Sequence, residues 1–228
     1  MSFTFRRPLL AAVAALGLSV AVAAPALADA ERQALVNDAT KTANMLITGP
    51  DFPDVARLLP RAKAVVIFPN MVQGGFIVGG AGGRGVMLAR VGQNRWSYPS
   101  FYFLGSGSVG FQIGAKVSES ILIVLTDKGL NALLADKFKF GAEAGVTVVS
   151  LGAGVAGATT PAIGADIVAF SKSVGLFAGA ALEGSYMSPD GDWNKLYYGG
   201  APNNRSILFE GRFSNPGAEP LRGLLSRY

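Results

Sequence analysis

Among its 228 residues the chain has no cysteine and no histidine. Without cysteine there is no disulfide framework, no thiol nucleophile and no residue to carry an N-terminal lipid. Without histidine there is no Ser-His-Asp triad, and the two absences together exclude a zinc site built from Cys or His. Charge is also scarce: 15% of residues are charged and 50% are apolar, a balance too hydrophobic for disorder. No Walker A sequence occurs. Glycine, by contrast, is abundant: thirty residues, without the period of three that collagen requires. A chain of this length can bury one sizeable core.

The first residues read as a leader. Arg6 and Arg7 precede an apolar segment from Leu9 to Ala24, and Ala26-Leu27-Ala28 is a small-x-small cleavage site. This predicts a secretory signal peptide over 1–28, since the apolar run is short for a span and Pro25 ends it. Its removal lowers the formal charge from +5 to +3, two arginines and no acid leaving with it. A mildly basic domain favours anionic surfaces but does not argue for nucleic acid. The remainder, 29–228, reads as one domain: a helical lead-in over 29–62, a sheet body over 63–200 and a C-terminal segment over 201–228.

Leu35, Ala39, Thr42 and Leu46 recur at spacings of four, three and four, which predicts an amphipathic helix ending at Gly49-Pro50. A second short helix is expected from Pro53 to Leu59, with Asp51 as its cap and Pro60 beyond it. Ala64–Phe68 is β-branched and reads as a strand ended by Pro69-Asn70. The stretch Phe101–Leu125 is central. Phe111, Ile113, Ala115 and Val117 alternate with Gln112, Gly114 and Lys116, the period of a half-buried strand, and Ile121–Leu125 reads as a more deeply buried one. The glycines from Gly105 to Gly110 suggest a bend or a close strand approach. Thr126 is placed to cap a helix carrying Leu130, Leu133 and Leu134. Strands are expected over 138–151, 166–171 and 176–183, a turn at Pro189-Asp190-Gly191, a short helical turn near 204–209, and a last helix or an ordered tail over 220–228. The expected class is α+β and β-rich: an antiparallel glycine-rich sheet, barrel-like or sandwich, with the N-terminal amphipathic helix and short flanking helices.

The motifs that carry chemistry are weak. Three glycine triplets fit the dinucleotide fingerprint, starting at Gly80, Gly105 and Gly152, but the first two lie in strand-like sequence and the pattern needs a helix at its last glycine. Asp190-x-Asp192-x-Asn194 begins like a calcium loop, yet Lys195 and Ala201 stand where glycine and glutamate are needed. Glu119, Glu143, Asp166 and Glu183 are not brought together by any spacing. An outer-membrane barrel shares the alternation and the aromatics, but Leu224-Leu225 and the helical segments have no place in its wall.

Several runs resemble one known family. Lys63-Ala-Val-Val-Ile-Phe-Pro69, Gly75-Phe-Ile-Val-Gly-Gly80, Trp96-Ser-x-Pro99, Gly110-Phe-Gln-Ile-Gly-Ala115, Ser171-Lys-Ser-Val-Gly-Leu-Phe-Ala-Gly179 and Leu182-Glu-Gly184 look like the SYLF domain, also called the Ysc84 actin-binding domain or DUF500. Tyr197-Tyr-Gly199, Ile207-Leu208 and Ala218-Glu-Pro-Leu221 resemble its C-terminal end. The resemblance, to a secreted bacterial member, implies phospholipid binding, actin binding in some fungal relatives, and no enzymatic activity or cofactor.

The combined expectation is a non-catalytic phospholipid-binding protein of the cell envelope, periplasmic or secreted and peripheral to the membrane. Its partners would be a phospholipid membrane surface or another envelope protein. The expected contact is the apolar side of the first helix, through Leu35 and Leu46, aided by Lys41, Arg57, Arg61 and Lys63. Each base near an anionic surface contributes about 1 kcal/mol, so apolar insertion must supply most of the binding. The alternative is an envelope scaffold that presents a sheet edge or face to another protein.

Overall fold

A computed structural model describes residues 23–75, 78–109, 114–140, 142, 144–151, 164–173 and 185–228. The first helix, α1 (Ala23–Thr48), runs across the expected cleavage site and ends where the Gly49 N–H donates to the Met45 carbonyl at 2.9 Å, just before Pro50. The short α2 (Pro53–Leu58) has proline in its first turn, buries Val55 and passes into a 3-10 turn over Leu59–Arg61. Its N-cap position is Phe52 with no side-chain cap; Asp51, expected there, instead pairs with Lys172 at 2.9 Å.

The strands are β1 (Ala64–Gly75), β2 (Val78–Gly92), β3 (Arg95–Trp96), β4 (Ser100–Val109), β5 (Gly114–Val124), β6 (Phe138–Lys139), β7 (Val146–Leu151), β8 (Ile167–Ser173) and β9 (Tyr186–Pro189). They form one curled, half-barrel sheet in the order β6-β9-β4-β2-β1-β5-β8-β7, with β3 paired to β2. Pairing is antiparallel as expected, except that β7 lies parallel to β8. A parallel neighbour needs a crossover rather than a hairpin, and that connection passes through 152–163, outside the described residues. Strand 176–183 and the third glycine triplet also lie outside them.

Pro69-Asn70 does not end β1. Phe68 pairs with Ser120 and Met71 with Ser118, so β1 carries one extra residue there and then continues to Gly75. Proline has no N–H for the ladder, and a bulge is the place a strand tolerates it. The extra residue reverses the facing of everything after it. Likewise, Gly105 is no bend: β4 runs through it, paired to Gly82. The segment 138–151 holds two strands, β6 and β7, and 114–124 holds one.

The two faces of the sheet have separate cores. Val65, Ile67, Val86, Leu88, Ile121 and Ile123 face α1, α2, and the helices α4 (Gly191–Tyr198) and α6 (Glu219–Leu225). Ala64, Val66, Phe68, Met87, Leu122 and Val124 face α3 (Asp127–Leu133), α5 (Asn204–Leu208) and Phe138. A strand covered on both sides must be apolar throughout, which is why Ala64–Phe68 and Ile121–Val124 read as unbroken runs. Helices on both faces, and end strands β6 and β7 that are not paired with each other among the described residues, are not the wall of a membrane barrel.

Candidate functional site: an uncovered end of the sheet

The apolar side of α1 is packed inward. Val36, Ala39, Ala43, Leu46 and Ile47 are buried against the first face of the sheet, with Leu46 2% exposed, and Leu35 packs partly buried on the same cluster. The two alanines let the helix lie close to the strands. Its polar groups fasten it further. Gln33 Nε2 donates to the Gly217 carbonyl at 2.8 Å, the Tyr197 hydroxyl donates to Gln33 Oε1 at 3.1 Å, and Thr42 Oγ1 donates to Glu119 at 3.1 Å. Near its start the Arg32 guanidinium lies 5.2 Å from the Trp193 ring.

The expected lipid contact through Leu35 and Leu46 is therefore corrected: in this fold that side of the helix is part of the core. The expected bases do not converge on it either. Lys41 pairs with Asp38 at 2.9 Å, Arg57 with Asp54, and Lys63 with Asp127 at 2.8 Å, while Arg61 is exposed at the end of the 3-10 turn.

The helix covers only part of its face. Beyond it, toward the end of the sheet where β1 and β4 finish and β2 and β5 begin, no helix among the described residues covers the same face. Val72 is 51% exposed, Val117 47% and Phe103 44%. Val72 and Val117 are direct partners in register, and Phe103 lies two strands away from Val72, across β2. Val117 pairs with Val72, Val72 with Gly82, Gly82 with Gly105, and Gly105 with Tyr186. Tyr186 in turn pairs with Lys139. This row crosses six strands, roughly 24 Å at the usual interstrand spacing. Phe103 lies along it, two residues before Gly105 on the same strand. A Cβ on Gly105 would stand 2.8 Å from the Phe103 ring, so glycine is required for the ring to lie flat there.

Charge is distributed unevenly around the row. Beside Val117, Lys172 pairs with Asp51, and that hydrogen bond raises the lysine's pKa. Midway, Arg84 donates to Asp190 at 2.9 Å and stacks 4.5 Å from the Trp193 ring. At the far end Lys137 and Lys139 sit 4.2 and 5.6 Å from the Tyr186 ring, and neither has an acid partner among the described residues.

The other sequence motifs resolve into structure. Asp190 caps α4 by accepting from the Trp193 N–H at 3.1 Å, so the expected turn is a helix start. Asn194 is buried and accepts from the Phe101 N–H at 2.8 Å, which leaves it no cation to bind. The glycines from Gly80 to Gly85 lie inside β2, with no helix at the last of them. Asp166 accepts from Thr126 Oγ1 at 2.6 Å and the Gly145 N–H at 3.0 Å, and these bonds, with Lys128 alongside, hold its carboxyl below the usual range. Burial pushes the Tyr102 phenol up to about 12. Among the described residues no group of three or more acids could hold a metal ion, and no helix is long and apolar enough to cross a membrane.

Comparison with known proteins gives one consistent kinship. The Ysc84 family model, described as "Las17-binding protein actin regulator", matches residues 105–228, more than half of the chain. The chain is 31% identical over 182 residues to the SH3 domain-containing YSC84-like protein 1 of Bos taurus, covering 79% of this chain and 53% of that one. It is 29% identical over 172 residues to protein YSC84 of Saccharomyces cerevisiae, covering 74% and 36%. It is 31% identical over 173 residues to LAS seventeen-binding protein 3 of the same species, covering 74% and 37%. The chain thus spans about half the length, or less, of the curated relatives it matches. No solved structure matches it at a significant level.

Proposed function

The chain belongs to the Ysc84 family, and from that premise we propose that it is a non-catalytic binding domain that docks on phospholipid at the cell envelope. The observation that carries this reading is the open row on the sheet. The covered half of the same face buries apolar residues under helices, yet Val72 and Val117 are left exposed as direct partners, and the exposed Phe103 lies near the next two row positions, Gly82 and Gly105. A contiguous apolar surface bordered by basic residues supports a docking role. The absence of cysteine and histidine from the sequence supports a role without a thiol nucleophile, a Ser-His-Asp triad or a Cys/His zinc site. The leader-like 1–28 supports a periplasmic or secreted location, peripheral to the membrane.

The test is co-flotation of the mature protein with phosphatidylcholine vesicles, with and without phosphatidylglycerol. Recovery above background, larger with the anionic lipid and reduced by salt, is the expected result. Background recovery from both removes the phospholipid reading. The second reading, docking on another envelope protein, is favoured by the printed names of the relatives, of which one is a "LAS seventeen-binding protein". A crosslinked partner that survives delipidation, with vesicles recovered empty, selects it.

A further inference from the structure

Resting on the phospholipid reading, we propose that the membrane is met by the sheet and not by the leading helix: the row from Val117 to Lys139 lies on an anionic bilayer while α1 stays docked.

Three observations lead there. First, the row is continuous by register, so its exposed apolar side chains form one surface instead of scattered single residues. Second, the surface is shallow. Gly82 and Gly105 put no side chain on it, and the Phe103 ring rests along them. A helix of a partner needs a groove with side pockets, whereas a flat strip suits the loosely packed boundary between headgroups and acyl chains. Third, its charge complements that boundary. Two acids near the row are in ion pairs, Asp190 with Arg84 and Asp51 with Lys172, and Glu119 accepts from Thr42, while Asp136, next to Lys137, is exposed. The cations at the Tyr186 end, Lys137 and Lys139, are without acid partners among the described residues. Phenol and ammonium side by side at one end of an apolar strip match a headgroup layer, the tyrosine ring straddling the interface. The position also fits. Val72, Gly82, Gly105 and Val117 all lie within a few residues of strand ends at the same extremity of the sheet.

Because the chain has no cysteine, single introduced thiols give clean reporters. Val72→Cys, Val117→Cys and Asn44→Cys, each labelled with an environment-sensitive dye, are mixed with vesicles containing phosphatidylglycerol. Asn44 is exposed on α1. Dyes at 72 and 117 are expected to shift to the blue while the dye at 44 does not. In flotation, the triple variant Val72→Thr/Val117→Thr/Phe103→Thr is expected to lose most binding. Lys137→Gln/Lys139→Gln is expected to lose on the order of tenfold in affinity for anionic vesicles, and Lys41→Gln/Arg57→Gln much less. Thermal unfolding of each variant near the parent's midpoint shows that these are losses of surface and not of fold. A shift at position 44, or full binding by the triple variant, overturns the sheet-first geometry and leaves the phospholipid reading standing. No binding by the unmodified chain removes both. A concentration-dependent shift at 72 and 117 without vesicles, with a doubled mass, assigns the row to a second copy of the chain and also overturns the proposal.

Discussion

Ile67 and Val72 lie on one strand, five residues apart, and point to the same side of the same sheet. Ile67 is fully buried and Val72 is half in water. The same holds along β5 for Ile121 and Val117 and along β4 for Phe101 and Phe103. Apolar character does not separate the members of these pairs. Cover does: α1, α2, α4 and α6 extend over one half of the face and stop. The bulge at Pro69-Asn70 adds a second cause. Without its extra residue Met71 would share the side of Ile67, and Val72 would be turned to the other face. With it, Met71 is buried in the second core and Val72 faces water. One inserted residue thus helps to make the open row.

The comparison breaks most visibly in the covered half. Ile67→Ala and Leu46→Ala each delete a fully enclosed side chain, from strand and helix respectively, and each is expected to cost about 2–5 kcal/mol. Chemical denaturation measures this. If Leu46→Ala costs less than about 0.5 kcal/mol, α1 is not the cover that the packing indicates, and the contrast between the two halves dissolves.

A smaller effect sharpens the role of the second face. Asp166 joins the cap of α3, the backbone before β7 and the start of β8 through Thr126, Gly145 and Lys128. Gly129, on α3, has to be glycine because a Cβ there would stand 2.9 Å from the Asp166 carbonyl. Asp166→Asn keeps the shape but loses charge-assisted bonds, for about 1–3 kcal/mol at neutral pH. The folded carboxyl titrates below its unfolded value, so its stabilisation is complete above the ordinary carboxylate range and is lost as pH falls through the lowered folded value. The gap between parent and variant should therefore close on acidification. A gap that stays constant with pH would mean that ionisation of the carboxyl contributes nothing and that the loss comes from the substitution itself. Removing the neighbouring cap, Thr126→Ala, should cost about 1 kcal/mol, since its hydroxyl satisfies the Gly129 N–H.

Much of this fold was legible in the residues, because local physics agrees with it. The spacing in α1, the doubly apolar Ala64–Phe68, the Thr126 cap and the glycine-rich antiparallel strands all point to the observed α+β sheet. The failures have identifiable causes. Pro69 reads as a stop because proline lacks an N–H, and only the partner strands show that a bulge absorbs the defect. The parallel pairing of β7 leaves no local mark. The site was misplaced for a related reason: an apolar helix side has the same periodicity whether it meets a bilayer or its own sheet. The better signal was the spacing itself. Val72 and Val117 are β-branched strand residues paired with each other, and the next two positions of the row are Gly82 and Gly105, which add no side chain to interlock with.

The smallest expected change tests the open half. Val72→Thr exchanges a methyl for a hydroxyl at a half-exposed strand position, where threonine is as good a strand former as valine. Stability should move by less than about 0.5 kcal/mol. The same exchange at Val65, fully buried in the same strand, places a hydroxyl without water or partner and should cost about 1–3 kcal/mol. The pair of substitutions holds chemistry and strand constant and varies only cover. Equal costs in denaturation would show that Val72 is enclosed in solution, and the surface assigned to binding would not be available. Unequal costs leave an apolar row that folding does not need, and a row that folding does not need is free to serve an external partner.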